Sequence, residues 1–176
     1  MDPINLKNTL KQGGKVYGTM LWGIDSARLT SFLDSEFLDY AIIEAEHAPR
    51  TLYQINSMTT ALRSKNITSI VRITSPNPEI AGATIDAGAD GILVPYCEDI
   101  EELKLSFGRT YFNPLKGKYL KKVLDSGEFP SKKSEDYLRE KSKSRLFILG
   151  IESVPAVDNL ENMINSVENI DGIFVG

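Results

Sequence analysis

The sequence predicts an α/β fold built on a parallel sheet, and three observations carry that prediction. Six apolar runs of strand length alternate with stretches whose apolar residues recur at helical spacing, the pattern of βα units. The run over residues 40–46 passes from Ile42-Ile43 into Glu44, Glu46 and His47 and breaks at Pro49. That sets ionisable groups at the carboxyl end of a strand, where α/β proteins bind ligands. The 176 residues are 41% hydrophobic and 25% charged, ordinary for a globular chain and enough for a single domain over 1–176.

Taken in order, residues 5–12 read as a short amphipathic helix stopped by Gly13-Gly14, and 16–22 as the first strand. Residues 26–34 carry Leu29, Phe32 and Leu33 at helical spacing, with Ser26 as N-cap. The second strand is 40–46. A helix over 51–64 then puts Leu52, Ile55, Met58 and Leu62 on one face. The third strand is 68–73, followed by a small-residue helix over 79–87 closed by Gly88; the fourth is 91–96, with a helix over 99–107 after it. Between 108 and 144 the alternation fails. That segment is rich in lysine, punctuated by Pro114, Gly117, Gly127 and Pro130, and reads as a long functional or interface loop. The fifth strand is 146–151, a helix lies near 156–166, and the sixth strand is 172–175. Six units suffice for a doubly wound sheet. A (β/α)8 barrel takes about 250 residues, so a barrel requires further units after Gly176.

Composition excludes several functions. A net charge of -4 and a pI near 5.1 argue against a generic nucleic-acid binder. The single cysteine, Cys97, cannot form an intrachain disulfide, which fits a reducing compartment. The N-terminal residues are polar where a signal peptide needs an apolar run, and no apolar run approaches the roughly 20 residues of a membrane span. The expectation is a soluble, cytoplasmic protein without a nucleic-acid or membrane partner.

Polar side chains fall at the predicted carboxyl ends of successive strands: Glu46 and His47, Arg72, Tyr96 and Glu152. Loops are polar anyway, so any one of them means little; from neighbouring parallel strands they would converge on one mouth. Histidine ordinarily titrates near neutrality, which makes His47, the only one, the natural general base or acid. Arg72, inside Ile70-Val71-Arg72-Ile73, needs an anion if buried: a ligand carboxylate or enolate, or an ordinary ion pair with a neighbouring side chain. Glu152 suits a hard oxygen ligand for a divalent cation, or a helix N-terminal carboxylate ahead of Pro155. Lys116 and Lys118 read as solvated, and Cys97 as a core or loop residue. No glycine-rich phosphate loop, CxxC, HExxH or GxSxG is present.

The segments AIIEAEHAPR, IVRITSPNP, TIDAGADGILVPY, LGIESVPAVDNL and IDGIFVG, in this order and spacing, resemble the HpcH/HpaI aldolase/citrate lyase family, and more closely its class II pyruvate-dependent aldolases. The similarity runs from about Val16 to Gly176. It implies a (β/α)8 barrel of the phosphoenolpyruvate/pyruvate type, present here as roughly its first six βα units, in a homo-oligomer. It also implies cleavage of a 4-hydroxy-2-keto acid to pyruvate and an aldehyde through a metal-bound enolate, with Mg²⁺ or Mn²⁺ and Co²⁺ as a third candidate.

By the same resemblance His47 is the base, Asp86 the acid that orients it, and Arg72 the residue on the keto oxygen. Glu152 is one of two carboxylate metal ligands, Gly176 contributes to substrate binding, and Glu44 and Glu46 stand behind the site. No lysine is needed for a Schiff base, and the sequence suggests no buried one.

Three departures from the family pattern stand out. The family continues past IDGIFVG into a Pro-x-Asp element bearing the second metal ligand. Glu44 stands where the family usually has Asp. A family arginine in a Gly-x-Arg-Gly loop is replaced around Lys116–Lys118. The alternatives are a catalytically silent barrel that binds a keto acid or a partner, and a citrate lyase β-like enzyme acting on acyl-CoA thioesters.

Overall fold

The computed structural model describes residues 1–24, 26, 28, 31–33 and 36–176. The helix expected over 26–34 includes Leu29 and lies partly outside the described residues. Six strands, β1 (Gly18–Leu21), β2 (Tyr40–Glu44), β3 (Thr68–Arg72), β4 (Gly91–Val94), β5 (Leu146–Ile151) and β6 (Gly172–Val175), pair in parallel in the spatial order β1-β2-β3-β4-β5-β6. Because the order never reverses, the sheet has no topological switch point, and the doubly wound alternative falls. The sheet is a curled half-barrel.

The central strands read in period two, so their two sets of side chains enter different cores. Ala41, Ile43, Val71, Ile92, Val94, Phe147 and Leu149 pack among Ile55, Met58 and Leu62 of α2 (Leu52–Ser64), Ile85 of α3 (Pro78–Asp86), and Leu103 and Phe107 of α4 (Ile100–Tyr111). Tyr40, Ile42, Ile70, Leu93, Leu146, Ile148 and Phe174 form a second cluster with Leu6 and Leu10 of α1 (Pro3–Lys11) on the other face. The helices start where the sequence puts caps. Thr51 and Gln54 form a capping box on α2, and Asn77 accepts hydrogen bonds from the amides of Glu79 and Ile80. α3 is built of small residues for a reason visible in its packing: a Cβ on Gly82 would collide with the guanidinium of Arg109, which lies across that turn and donates to the carbonyl of Leu115 at 3.0 Å.

Two expectations need correction. The segment between α4 and β5 is not a long irregular loop; it forms α5 (Gly117–Ser126) and α6 (Lys132–Ser142). Leu120 and Val123 of α5 and Leu138 of α6 are buried. Gly127, which reads as a breaker, is instead the left-handed cap of α5 at φ 69°. The helix near 156–166 is two short ones, α7 (Val154–Asp158) and α8 (Leu160–Asn165).

A buried lysine is also present. Lys7 of α1, 7% exposed, donates to Tyr111 Oη at 2.9 Å and to the Arg145 carbonyl at 2.7 Å, and its Nζ lies 3.4 Å from Asp171 Oδ1. Desolvation lowers its pKa against the pull of Asp171. Asp171 immediately precedes β6, so this network ties α1 across the amino ends of the strands, at the opposite end from the mouth. No helix of the described residues is long and apolar enough to cross a membrane.

Candidate active site

Strand parity builds the site. Tyr40, Ile42 and Glu44 alternate with the outward set of β2, and the register pairs Glu44 with Arg72 at the end of β3. In the same way Ile148 and Gly150 lead to Glu152 beyond β5, and Gly172 and Phe174 lead to Gly176 beyond β6. These residues therefore continue the inner face at its carboxyl end, above the apolar cluster. The Phe174 ring lies 6.0 Å from the Arg72 guanidinium carbon.

Arg72 is the centre. Its side chain is 9% exposed, and three carboxylates surround it: Glu44 Oε2 at 2.6 Å from Nε, Glu46 Oε2 at 3.2 Å from Nε, and Glu152 Oε1 at 3.7 Å from Nη1. The ordinary ion pair foreseen for Arg72 is thus present, and of the foreseen strand-end residues Glu46, His47 and Glu152 lie around or beside it. Glu44 engages the Nε–H, so Glu46 Oε2 sits close to the guanidinium yet is buried with no hydrogen-bond partner among the described residues. Burial raises the Glu46 pKa, opposed by the positive charges of Arg72 and His47.

His47 stands at the rim with its side chain 59% exposed and Nε2 3.6 Å from Glu46 Oε2. Its ring faces Trp22, centroids 5.9 Å apart, at the end of β1. Asp86, by contrast, is exposed at the C-terminal end of α3, where it accepts a hydrogen bond from Asn113 Nδ2 at 2.6 Å. α3 leaves the carboxyl end of β3 and runs back toward the start of β4, about 13 Å for nine residues. The chain therefore carries Asp86 away from His47, and the two are not in contact. Tyr96, also foreseen here, is half-exposed beyond β4 with φ 46°. Cys97 is buried, and desolvation pushes its thiol up to about 12, which fits a core residue rather than a nucleophile.

Two contributors escaped sequence reasoning. Arg50 donates from Nε to the Glu44 carbonyl at 2.7 Å and from Nη2 to the Leu21 carbonyl at 3.2 Å, strapping the carboxyl ends of β1 and β2 together. Trp22 is the other. Its signal was available: it closes the first apolar run, at the same carboxyl end of the sheet as Arg72.

Three carboxylates around one guanidinium leave an excess of negative charge, and carboxylate oxygens suit a hard divalent ion such as Mg²⁺ or Mn²⁺. A Cβ on Gly176 would lie 3.0 Å from Glu152 Oε1, so glycine leaves that carboxylate uncovered. No group of three or more potential ligands stands together among the described residues. The residues thus fit an ion held through one or two carboxylates, with other positions open to water and substrate.

A consequence concerns Glu46. Its raised pKa means the folded state binds a proton more readily than the unfolded chain, so the ionised carboxylate costs stability at neutral pH. Glu46→Gln removes that cost. Chemical denaturation should find the variant more stable than wild type at pH 7, with the difference shrinking as pH falls through the folded-state pKa of Glu46. An equal difference at every pH would contradict the burial argument.

The architecture and site define a class: a curled sheet of parallel βα units with an arginine-centred, carboxylate-rich site at the carboxyl ends of its strands. The chain belongs to the HpcH/HpaI aldolase/citrate lyase family, whose sequence profile matches residues 19–176. It is 25% identical over 174 residues to a hydroxypyruvate/pyruvate aldolase of Roseovarius nubinhibens, covering 97% of this chain and 65% of that protein. It is 29% identical over 150 residues to a 5-keto-4-deoxy-D-glucarate aldolase of Klebsiella pneumoniae, covering 84% and 56%. The chain thus spans between about half and two thirds of the length of these curated relatives. Among solved structures, an HpcH/HpaI aldolase from Desulfitobacterium hafniense superposes with a TM-score of 0.77 at 24% identity, covering 97% of this chain and 65% of that one. The citrate synthase SbnG superposes with a TM-score of 0.76 at 24% identity, covering 97% and 64%. Both show the shared fold.

Proposed function

We propose that the protein is a divalent-metal-dependent class II aldolase that cleaves 4-hydroxy-2-keto acids to pyruvate and an aldehyde. In this reading it is cytoplasmic and homo-oligomeric, and its sheet belongs to a (β/α)8 barrel of the phosphoenolpyruvate/pyruvate type. The observation that carries the reading is the buried Arg72 among Glu44, Glu46 and Glu152, with His47 beside it at the rim. The aldolase names of the relatives support it.

His47 takes the proton of the substrate's 4-hydroxyl. The C3–C4 bond then breaks, C4 departs as the aldehyde carbonyl, and the bonding pair passes through C3 and C2 to the oxygen of the pyruvate enolate. Arg72, its Nε held by Glu44, turns its Nη edge to that oxygen and stabilises the developing charge. Return of a proton to C3 yields pyruvate. Glu152 would hold the metal, which when bound supplies Lewis-acid polarisation of the 2-keto group.

A coupled pyruvate-release assay tests the reading. It is run on this chain and on one extended by the C-terminal units that the family resemblance implies, with Mn²⁺ and with chelator, on a panel of 4-hydroxy-2-keto acids. Release that requires Mn²⁺ is expected. Folded protein that releases no pyruvate in either form would overturn the proposal.

A further inference from the structure

We infer that Glu44 is the positioning residue of the site: one carboxylate sets both the turn that presents His47 and the orientation of Arg72. The inference rests on the aldolase reading for its kinetic consequences and on geometry alone for its structural ones. Glu44 is fully buried at the end of β2. Its Oε1 accepts the backbone amides of Glu46 at 2.8 Å and of His47 at 2.9 Å, which fixes the chain where it leaves the strand. Its Oε2 accepts the Arg72 Nε–H at 2.6 Å. Its carbonyl accepts from Arg50, so the backbone that carries this carboxylate is itself anchored to the neighbouring strand.

A guanidinium is a rigid planar fork, so holding Nε fixes where both terminal nitrogens point. Among the described residues the polar contact at that end is Glu152 Oε1, 3.7 Å from Nη1 and beyond hydrogen-bond range, which leaves the Nη edge available to a substrate oxygen. The amides of 46 and 47, meanwhile, cannot rotate without losing a charged acceptor. A shift in either part would misplace the other relative to substrate, because both hang from the same two oxygens. The carboxylate is thus a link between proton transfer and charge stabilisation while touching neither reacting atom.

Two substitutions separate the halves. Glu44→Gln keeps an oxygen for the two amides but turns an NH₂ toward Arg72 Nε, donor against donor. Glu44→Ala removes both halves. In whichever form of wild type releases pyruvate, Glu44→Gln should lower kcat by about tenfold to a hundredfold with a smaller change in KM, as misplacing a donor to the developing enolate charge implies. Glu44→Ala should lower kcat by about a further tenfold or more, because the turn that presents His47 is released as well.

His47 is the only histidine, so its imidazole carbon–proton NMR signal reports on the turn without any assay. It should match wild type in Glu44→Gln and move in Glu44→Ala. Folded variants with wild-type KM and kcat would overturn the inference, as would a His47 signal unmoved in Glu44→Ala. Should Glu44→Ala not fold, the Glu44→Gln kinetics decide, and equal falls in kcat and in the reciprocal of KM would count against it. Absence of pyruvate release from wild type would remove the aldolase reading instead, and the NMR comparison would still decide whether Glu44 holds the turn.

Discussion

Arg72→Met will lower the unfolding free energy by about 3–5 kcal/mol, the usual result of removing one partner from a buried ion pair. Glu44 is fully buried with Arg72 as its charged partner, and the two backbone amides on Oε1 do not neutralise it. Glu46 and Glu152 lie around the same guanidinium, so its loss also leaves like charges facing one another. The measurement is denaturant unfolding with the slope held constant. The double variant Glu44→Leu with Arg72→Met should recover much of the loss, since neither partner is then left alone. A single-variant loss below about 1 kcal/mol, the range of exposed pairs, would mean that Arg72 is solvated rather than held by the carboxylates. In the pyruvate assay both variants should be inactive, and Arg72→Lys should fail as well, because an ammonium cannot hold Glu44 and present a planar edge at once.

The second large effect is kinetic. His47→Ala should reduce pyruvate release by about 10²–10⁴-fold, the range for loss of a positioned general base. Stability should change by no more than about 0.5 kcal/mol, because the side chain is 59% exposed and belongs to no core cluster. The contrast with Arg72 is the point of the pair: one residue supports fold and reaction together, the other the reaction alone. Unfolding curves and initial rates on the same preparation check both halves. A rate within about threefold of wild type would take the proton transfer away from His47.

Much of this was legible in one dimension. Five of the six strands begin where the apolar runs begin, and β1 begins two residues later at Gly18, because a strand's alternation is a property of neighbouring residues. Parity alone aligns Glu44 and Glu46 with Ile42, Arg72 with Ile70, and Glu152 with Ile148. The misreading of 108–144 has an equally local cause. Glycine, proline and lysine outweighed a stripe at Leu120, Val123 and Leu124, although Gly127 is a helix cap and the lysines lie on the solvent side. The role of Asp86 rests on the resemblance alone: within this chain its recorded partner at the end of α3 is Asn113, not His47.

By itself, then, the sequence determined the βα alternation, the family, and the set of ionisable residues at strand ends. The tertiary structure decided how they meet. It put β1 to β6 side by side without reversal, paired Glu44 with Arg72 by register, brought Glu46 and Glu152 around one guanidinium, and strapped β1 to β2 through Arg50. The division follows from physics. Periodicity and capping depend on residues a few positions apart, whereas register, burial and the partner of a charge depend on contacts between strands that are far apart in sequence, which no local pattern encodes.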